Sequence, residues 1–183
     1  LPDWHPWEDY RQGYSANQRL GGGVVLDGIH EIDYLCWMLG DVDTVTCLAE
    51  KVSALEIDTE DVAEILLRFR SGAIAEIHLD YVQRAYGRSC QLIAQDGTLV
   101  WDFSDQTVRL FRAATKRWEV LREDREFDFN HTYVEEIRHF LACVADRSKP
   151  LQDAAEGFRA LKVALAAKRS AREGIHVRMG DVS

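Results

Sequence analysis

The sequence predicts an α+β fold: a mainly antiparallel, open β-sheet with helices packed on one face. Three observations carry this expectation. Runs of β-forming residues recur in pairs around short polar turns, the pattern of hairpins rather than of βαβ units. The last third repeats apolar residues at spacings of three and four, the period of a helix face. A further helical stretch follows the glycine triplet Gly21-Gly22-Gly23.

Residues 1–20 hold Pro2 and Pro6 together with Trp4, Trp7, Tyr10 and Tyr14. Proline has no N–H for a ladder, so an irregular arm is expected, its aromatics packed on the domain or over a cleft. The single α+β domain is expected to run over 21–183. In its first helix Ile29, Ile32, Cys36 and Leu39 form an apolar stripe that ends near Gly40, and Asp27 stands where an N-cap would. Residues 43–55 read as a strand and 56–61 as an acidic connection. Residues 62–70 and 73–83 read as a hairpin around Ser71-Gly72. The phase of the second arm leaves its buried face open. Residues 89–94 and 98–103 flank Gln95-Asp96-Gly97, and 107–112 pair with 117–122. Two helices follow. The first carries Tyr133, Ile137, Phe140, Leu141 and Val144, with Thr132 and Glu135 as a capping box. The second carries Ala154, Phe158, Leu161 and Leu165, with Asp153 and Glu156 at its start and Gly174 at its end. Residues 175–179 suit an edge strand.

Composition narrows the function classes. The chain has 183 residues, enough for a substantial core, with 46% hydrophobic and 29% charged residues. A net charge of −9 argues against a nucleic-acid surface, and no apolar run is long enough to span a membrane. Cys36, Cys47, Cys90 and Cys143 are scattered without Cys-x-x-Cys spacing, which argues against a structural zinc site, leaves no metal expected and fits a reducing, cytoplasmic setting.

The chemistry concentrates after the glycines. A run without side chains lets another group approach the backbone closely. Asp27, His30 and Asp33 then follow at intervals of three, and His30 falls in a first helical turn. Imidazole is the side chain whose proton ordinarily moves near neutral pH, so His30 beside a carboxylate is a candidate general acid or base. The alternative is that Asp27 is only a cap and His30 only a polar residue at a helix start. Away from this stretch, His5, Tyr10, Arg11 or Tyr14 of the arm could line a polar ligand pocket. Tyr81, Gln83, Arg84 and Arg88 follow a strand end, where an Arg fork could hold a carboxylate or sugar hydroxyls. His78 reads as a sheet-face residue, His131 and His139 as surface or cap residues, and His176 has no evident partner.

The stretch from Gly21 to Gly40, Gly-Gly-Gly-x-x-x-Asp-x-x-His-x-x-Asp followed after six intervening residues by Gly, resembles the segment that opens the second domain of the Gfo/Idh/MocA family of NAD(P)-dependent oxidoreductases. The run Trp-His-Pro-Trp-Glu-Asp-Tyr at 4–10 is similar to a branch of that family near nonulosonate sugar genes. The resemblance implies that His30 accepts and donates the proton of a substrate hydroxyl and that Asp27 orients His30 or a lysine. Many members have a longer Asp-to-His step than the three residues found here, so the match is closer at His30. It also implies that the strand end carrying Tyr81, Arg84 and Arg88 borders the pocket for a sugar, amino-sugar or cyclitol derivative, to which His5 and Tyr14 of the arm could add substrate contacts. NAD or NADP would be bound mainly by an N-terminal dinucleotide-binding domain. That domain's Gly-x-Gly-x-x-Gly turn and Glu-Lys-Pro triplet are not in this sequence. The expectation is therefore a catalytic and substrate-binding second half, inactive alone, that forms a homo-oligomer through its open sheet face. The competing expectation is a non-catalytic ligand-binding or dimerisation module.

Overall fold

The structure is a computed structural model that describes residues 1–4, 6–124 and 126–182. The chain divides into two compact units, Leu1–Val82 with Gln152–Ser183, and Gln83–Leu151. No helix among the described residues is long and apolar enough to cross a membrane.

The first unit is built on a four-stranded antiparallel sheet. Its strands are β1 (Val42–Glu50), β2 (Val62–Phe69), β3 (Ile74–Asp80) and the short β8 (Val177–Arg178), in the order β3-β2-β1-β8. The edge strand expected at 175–179 is thus present as a two-residue pairing with β1. Strand alternation settles the open phase of β3: Ile77 and Leu79 point into the core, as Ile65 and Leu67 do from β2, while Ile74, Glu76 and His78 are exposed. Strand β1 stops at Glu50, short of the expected Leu55, because the chain then wraps around a carboxylate. Asp61 is fully buried and accepts from the N–H groups of Val52 (2.8 Å) and Ser53 (3.1 Å) and from the Ser53 hydroxyl. Its pKa is held below the usual carboxylate range; burial opposes this, and the Ser53 and Val52 hydrogen bonds overcome it.

Helices cover one face of this sheet. Helix α1 (Val24–Asp27) and helix α2 (Ile29–Leu39) precede the strands, and helix α4 (Ala154–Glu173) returns to lie on β1. Helix α2 buries Ile32, Leu35 and Cys36, packs Ile29 and Leu39 at the edge of the core, and ends at Gly40 with φ 89°, as its apolar spacing predicts. Asp153 caps α4 by accepting from Ala155 and Glu156, and Gly174 closes it in the left-handed conformation. The face that α4 buries is not the expected one. Ala160, Val163, Ala164, Ala166, Ala167 and Ser170 are buried, whereas Phe158 and Leu165 are exposed. Small side chains let the helix approach β1 closely enough for the Ser170 hydroxyl to accept from Cys47 N at 2.9 Å and donate to Ile175 O at 2.5 Å.

Among its described residues the arm contains no strand; it forms a series of 3-10 turns at Tyr10–Gln12, Tyr14–Ala16 and Gln18–Leu20. The acidic connection ties it down. Asp58 accepts from Gln18 N at 2.6 Å, Asp58 N donates to Ala16 O at 3.1 Å, and Thr59 donates to Ser15 O at 3.0 Å.

The second unit is a meander, β4 (Ser89–Ala94), β5 (Gly97–Asp102), β6 (Thr107–Arg112) and β7 (Arg117–Glu123), followed by helix α3 (Phe129–Asp146). The two expected hairpins are both present, and every pairing is antiparallel. The α+β class and its antiparallel strands hold. The hairpins fall into two sheets, a division that turn signals do not specify. Two expectations for α3 fail. Its cap is Asp128, which accepts from Asn130 N at 2.9 Å, while the Thr132 hydroxyl donates back to Phe129 O. Its apolar stripe, Tyr133, Ile137, Phe140, Leu141 and Val144, is exposed, and Cys143 is its buried residue.

Candidate active site

The glycine triplet is packed by groups of the chain itself. A Cβ on Gly22 would stand 2.1 Å from Tyr14 O and 2.6 Å from Ser15 O, and one on Gly23 would stand 2.4 Å from the Glu60 carboxylate. The close approach read from the glycines is therefore made by the arm and by Glu60. Gly23 N donates to Ser15 O and Val24 N to Glu60 O, each at 3.1 Å, which fixes where α1 begins.

Asp27 is not an N-cap. It is the last residue of α1, Gly28 occupies the cap position of α2, and no side chain among the described residues caps that helix. The glycine splits into two short helices what the spacing presents as one. His30 lies in the first turn of α2, exposed, and makes no hydrogen bond or ion pair among the described residues.

The Asp27 carboxylate has a built environment. Its Oδ2 accepts from the Tyr81 hydroxyl at 2.5 Å, a short charge-assisted bond. Its Oδ1 is buried and has no hydrogen-bond partner among the described residues. Tyr81 is buried just beyond β3, and Trp4 of the arm stacks edge-on against its ring at 5.4 Å. Burial first, and the Asp27 carboxylate second, push the Tyr81 phenol far above its ordinary pKa, so it stays a neutral donor. Tyr14 is pushed in the same direction by the same two causes, which places its phenol within the field of Asp27.

The structure thus brings the Tyr81 hydroxyl onto the Asp27 carboxylate. His5 lies outside the described residues. Tyr10 and Arg11 serve the arm: the Tyr10 hydroxyl accepts from Glu56 N, and Arg11 is paired with Asp9 (2.7 Å) and Glu56 (3.0 Å). Arg84 and Arg88 belong to the second unit, where Arg88 lies 5.4 Å from the centre of the Trp101 ring. His78 sits on the exposed sheet face, as read, between Glu64 (2.6 Å) and Asp80 (3.2 Å). His139 ties α3 to the following loop by accepting from Leu151 N, and His176 has a partner after all, the Thr46 hydroxyl at 2.6 Å. Burial pushes the Cys36 and Cys47 thiols up to about 11.

Sequence reasoning missed Glu60, Lys168 and Ser15. Lys168 is 108 residues from Glu60, and neither residue belongs to a local motif. Nothing in the sequence links them to the glycines, since Lys168 stands 146 residues from Gly22.

Comparison with known proteins agrees with this fold. The family model of the GFO/IDH/MocA C-terminal domain matches residues 2–100. Myo-inositol 2-dehydrogenase of Thermotoga maritima is 26% identical, over 90% of this chain and 51% of that protein. The crystal structure of aldose-aldose oxidoreductase from Caulobacter crescentus, complexed with glycerol, superposes with a TM-score of 0.79 at 22% identity, covering 93% of this chain and 52% of that one. The WlbA dehydrogenase of Bordetella pertussis, in complex with NADH and UDP-GlcNAcA, gives a TM-score of 0.71 at 20% identity over 97% of this chain and 53% of that one. The chain spans about half the length of each of these relatives. With a family model matched over more than half its residues and a fold shared with these oxidoreductases, the chain belongs to the Gfo/Idh/MocA family and carries its C-terminal domain.

Proposed function

We propose that this chain is the substrate-binding and proton-handling half of an NAD(P)-dependent oxidoreductase acting on a hydroxyl of a sugar, amino-sugar or cyclitol derivative. The observation that carries the proposal is the buried, unpartnered Oδ1 of Asp27, three residues before an unengaged imidazole. A buried acceptor without a donor costs on the order of 1–3 kcal/mol. A ligand hydroxyl or ammonium group supplies that donor.

The division of labour follows from the chemistry of each group. Tyr81 occupies Oδ2 and keeps Asp27 oriented, so one oxygen is left to hold a ligand. Tyr14 stands in the same field and offers a second polar contact from the arm. An imidazole nitrogen of His30 takes the hydroxyl proton as the carbinol is oxidised and returns it in the reverse direction. The residues present do not fit the cofactor's pyrophosphate, because the sequence has no Gly-x-Gly-x-x-Gly turn to cradle it. NAD or NADP would be held mainly by a separate N-terminal domain, and the nicotinamide would supply the hydride chemistry. The chain alone is accordingly inactive. The proposal also includes a cytoplasmic setting and self-association through the exposed sheet face of the first unit.

The test uses the complete oxidoreductase with NAD+ or NADP+ and a panel of cyclitols, aldoses and nucleotide amino-sugars. Reduction of the nicotinamide with at least one of these classes is expected. Failure with all of them, alongside turnover of a compound with no hydroxyl to oxidise, overturns the proposal.

A further inference from the structure

Glu60 is the residue around which the start of α1 is assembled. Its backbone carbonyl accepts from Val24 N, and its carboxylate rests directly over the bare Cα of Gly23. Lys168, reaching from α4, donates to both carboxylate oxygens at 2.8 and 3.0 Å and lies 3.4 Å from Gly22 O. The two side chains are only 14% and 24% exposed. Removing one partner would leave the other charge poorly solvated.

The link to the site is one helical turn. Asp27 N donates to Gly23 O at 3.0 Å, so the position of Gly23 sets that of Asp27. The Glu60 charge also acts on the Tyr81 phenol, after burial and the Asp27 carboxylate, in the same upward direction.

We propose that Glu60 and Lys168 are positioning residues: their ion pair fixes Gly22 and Gly23, and thereby holds the Asp27 carboxylate in register with the Tyr81 hydroxyl. The catalytic consequence rests on the reading of Asp27 as the ligand acceptor. The geometric statement stands without it. The alternative role for the pair is to anchor α4 and no more.

A measurement on the Tyr81–Asp27 bond separates the two roles. The chain is prepared with 3-fluorotyrosine in place of Tyr81, and the fluorine resonance is followed together with amide exchange at Val24 and Asp27. Asp27→Asn calibrates the probe and moves the resonance. Lys168→Met is expected to move it in the same direction and to raise exchange at both amides by roughly ten-fold, as a local opening would. Lys168→Arg, which keeps the charge, is expected to leave both within error. An unmoved resonance in folded Lys168→Met, even with a lower melting temperature, overturns the proposal, as does an unmoved resonance in Asp27→Asn. Should Lys168→Met not fold, Glu60→Gln combined with Lys168→Met removes both charges and is read by the same criteria. Failure of the ligand reading shows elsewhere, as normal turnover of Asp27→Asn in the complete enzyme while the fluorine result stands.

Discussion

Gly28 separates the helix that ends in Asp27 from the helix that begins before His30. Its φ is −83°, so any residue could adopt its backbone; space is what restricts it. A Cβ would stand 2.7 and 2.8 Å from the two methyls of Leu79 and 2.9 Å from Val24 O. Gly28→Ala is expected to destabilise the chain by about 1–3 kcal/mol through overpacking, measured by denaturant unfolding. An unchanged midpoint would mean that Leu79 yields freely and that the junction is loosely held. The junction also explains what was legible at this scale. His30 in a first helical turn could be read from spacing alone. The cap assigned to Asp27 could not survive, because Asp-Gly-Ile-His looks the same whether one helix starts at Asp27 or two meet at Gly28. The partner of Asp27, Tyr81, is 54 residues away, and only the fold brings it there.

At the scale of elements, turn chemistry made the hairpins readable. Ser71-Gly72 and Asp96-Gly97 each mark a reversal, and Gly72 takes φ 90°. Helix faces were harder to read. Large apolar residues on α4 suggested a buried stripe, yet the sheet accepts its alanines, because close approach to β1 depends on small side chains. Periodicity finds a helix and does not say which of two apolar faces meets the sheet. On the opposite face of that sheet, His78 on β3 faces Glu64 on β2 across the ladder, with Asp80 on its other nitrogen. The Glu64 hydrogen bond raises the imidazole's pKa; partial burial opposes it and Asp80 adds to it. A raised folded-state value means that the stabilisation is complete below the unfolded value of about 6.5 and is lost as pH rises through the folded value. His78 is more than half exposed, so the contribution is under about 1 kcal/mol. The difference in unfolding free energy between the parent chain and His78→Gln should be present near about pH 6 and vanish by about pH 9. A difference that does not vary with pH would show that the pair contributes no charge interaction.

For the whole molecule, the chain is about half as long as its relatives, and its first sheet is covered by helices on one face. The other face exposes Leu48, Leu66 and Ile74 among Arg68, Glu64, Glu76 and His78. Apolar residues among charges of both signs suit a specific partner, and self-association through this face is expected. Sedimentation should show a concentration-dependent increase in mass that Leu48→Glu with Leu66→Glu abolishes; a strict monomer at high concentration would contradict it. Proton transfer by His30 to and from a hydroxyl held by Asp27 is tested by turnover in the complete enzyme. His30→Gln keeps polarity and approximate size but cannot exchange a proton near neutral pH. This variant is expected to lose roughly 10²–10⁴-fold in kcat with an unchanged melting temperature. A His30→Gln enzyme of normal stability and full turnover would contradict it.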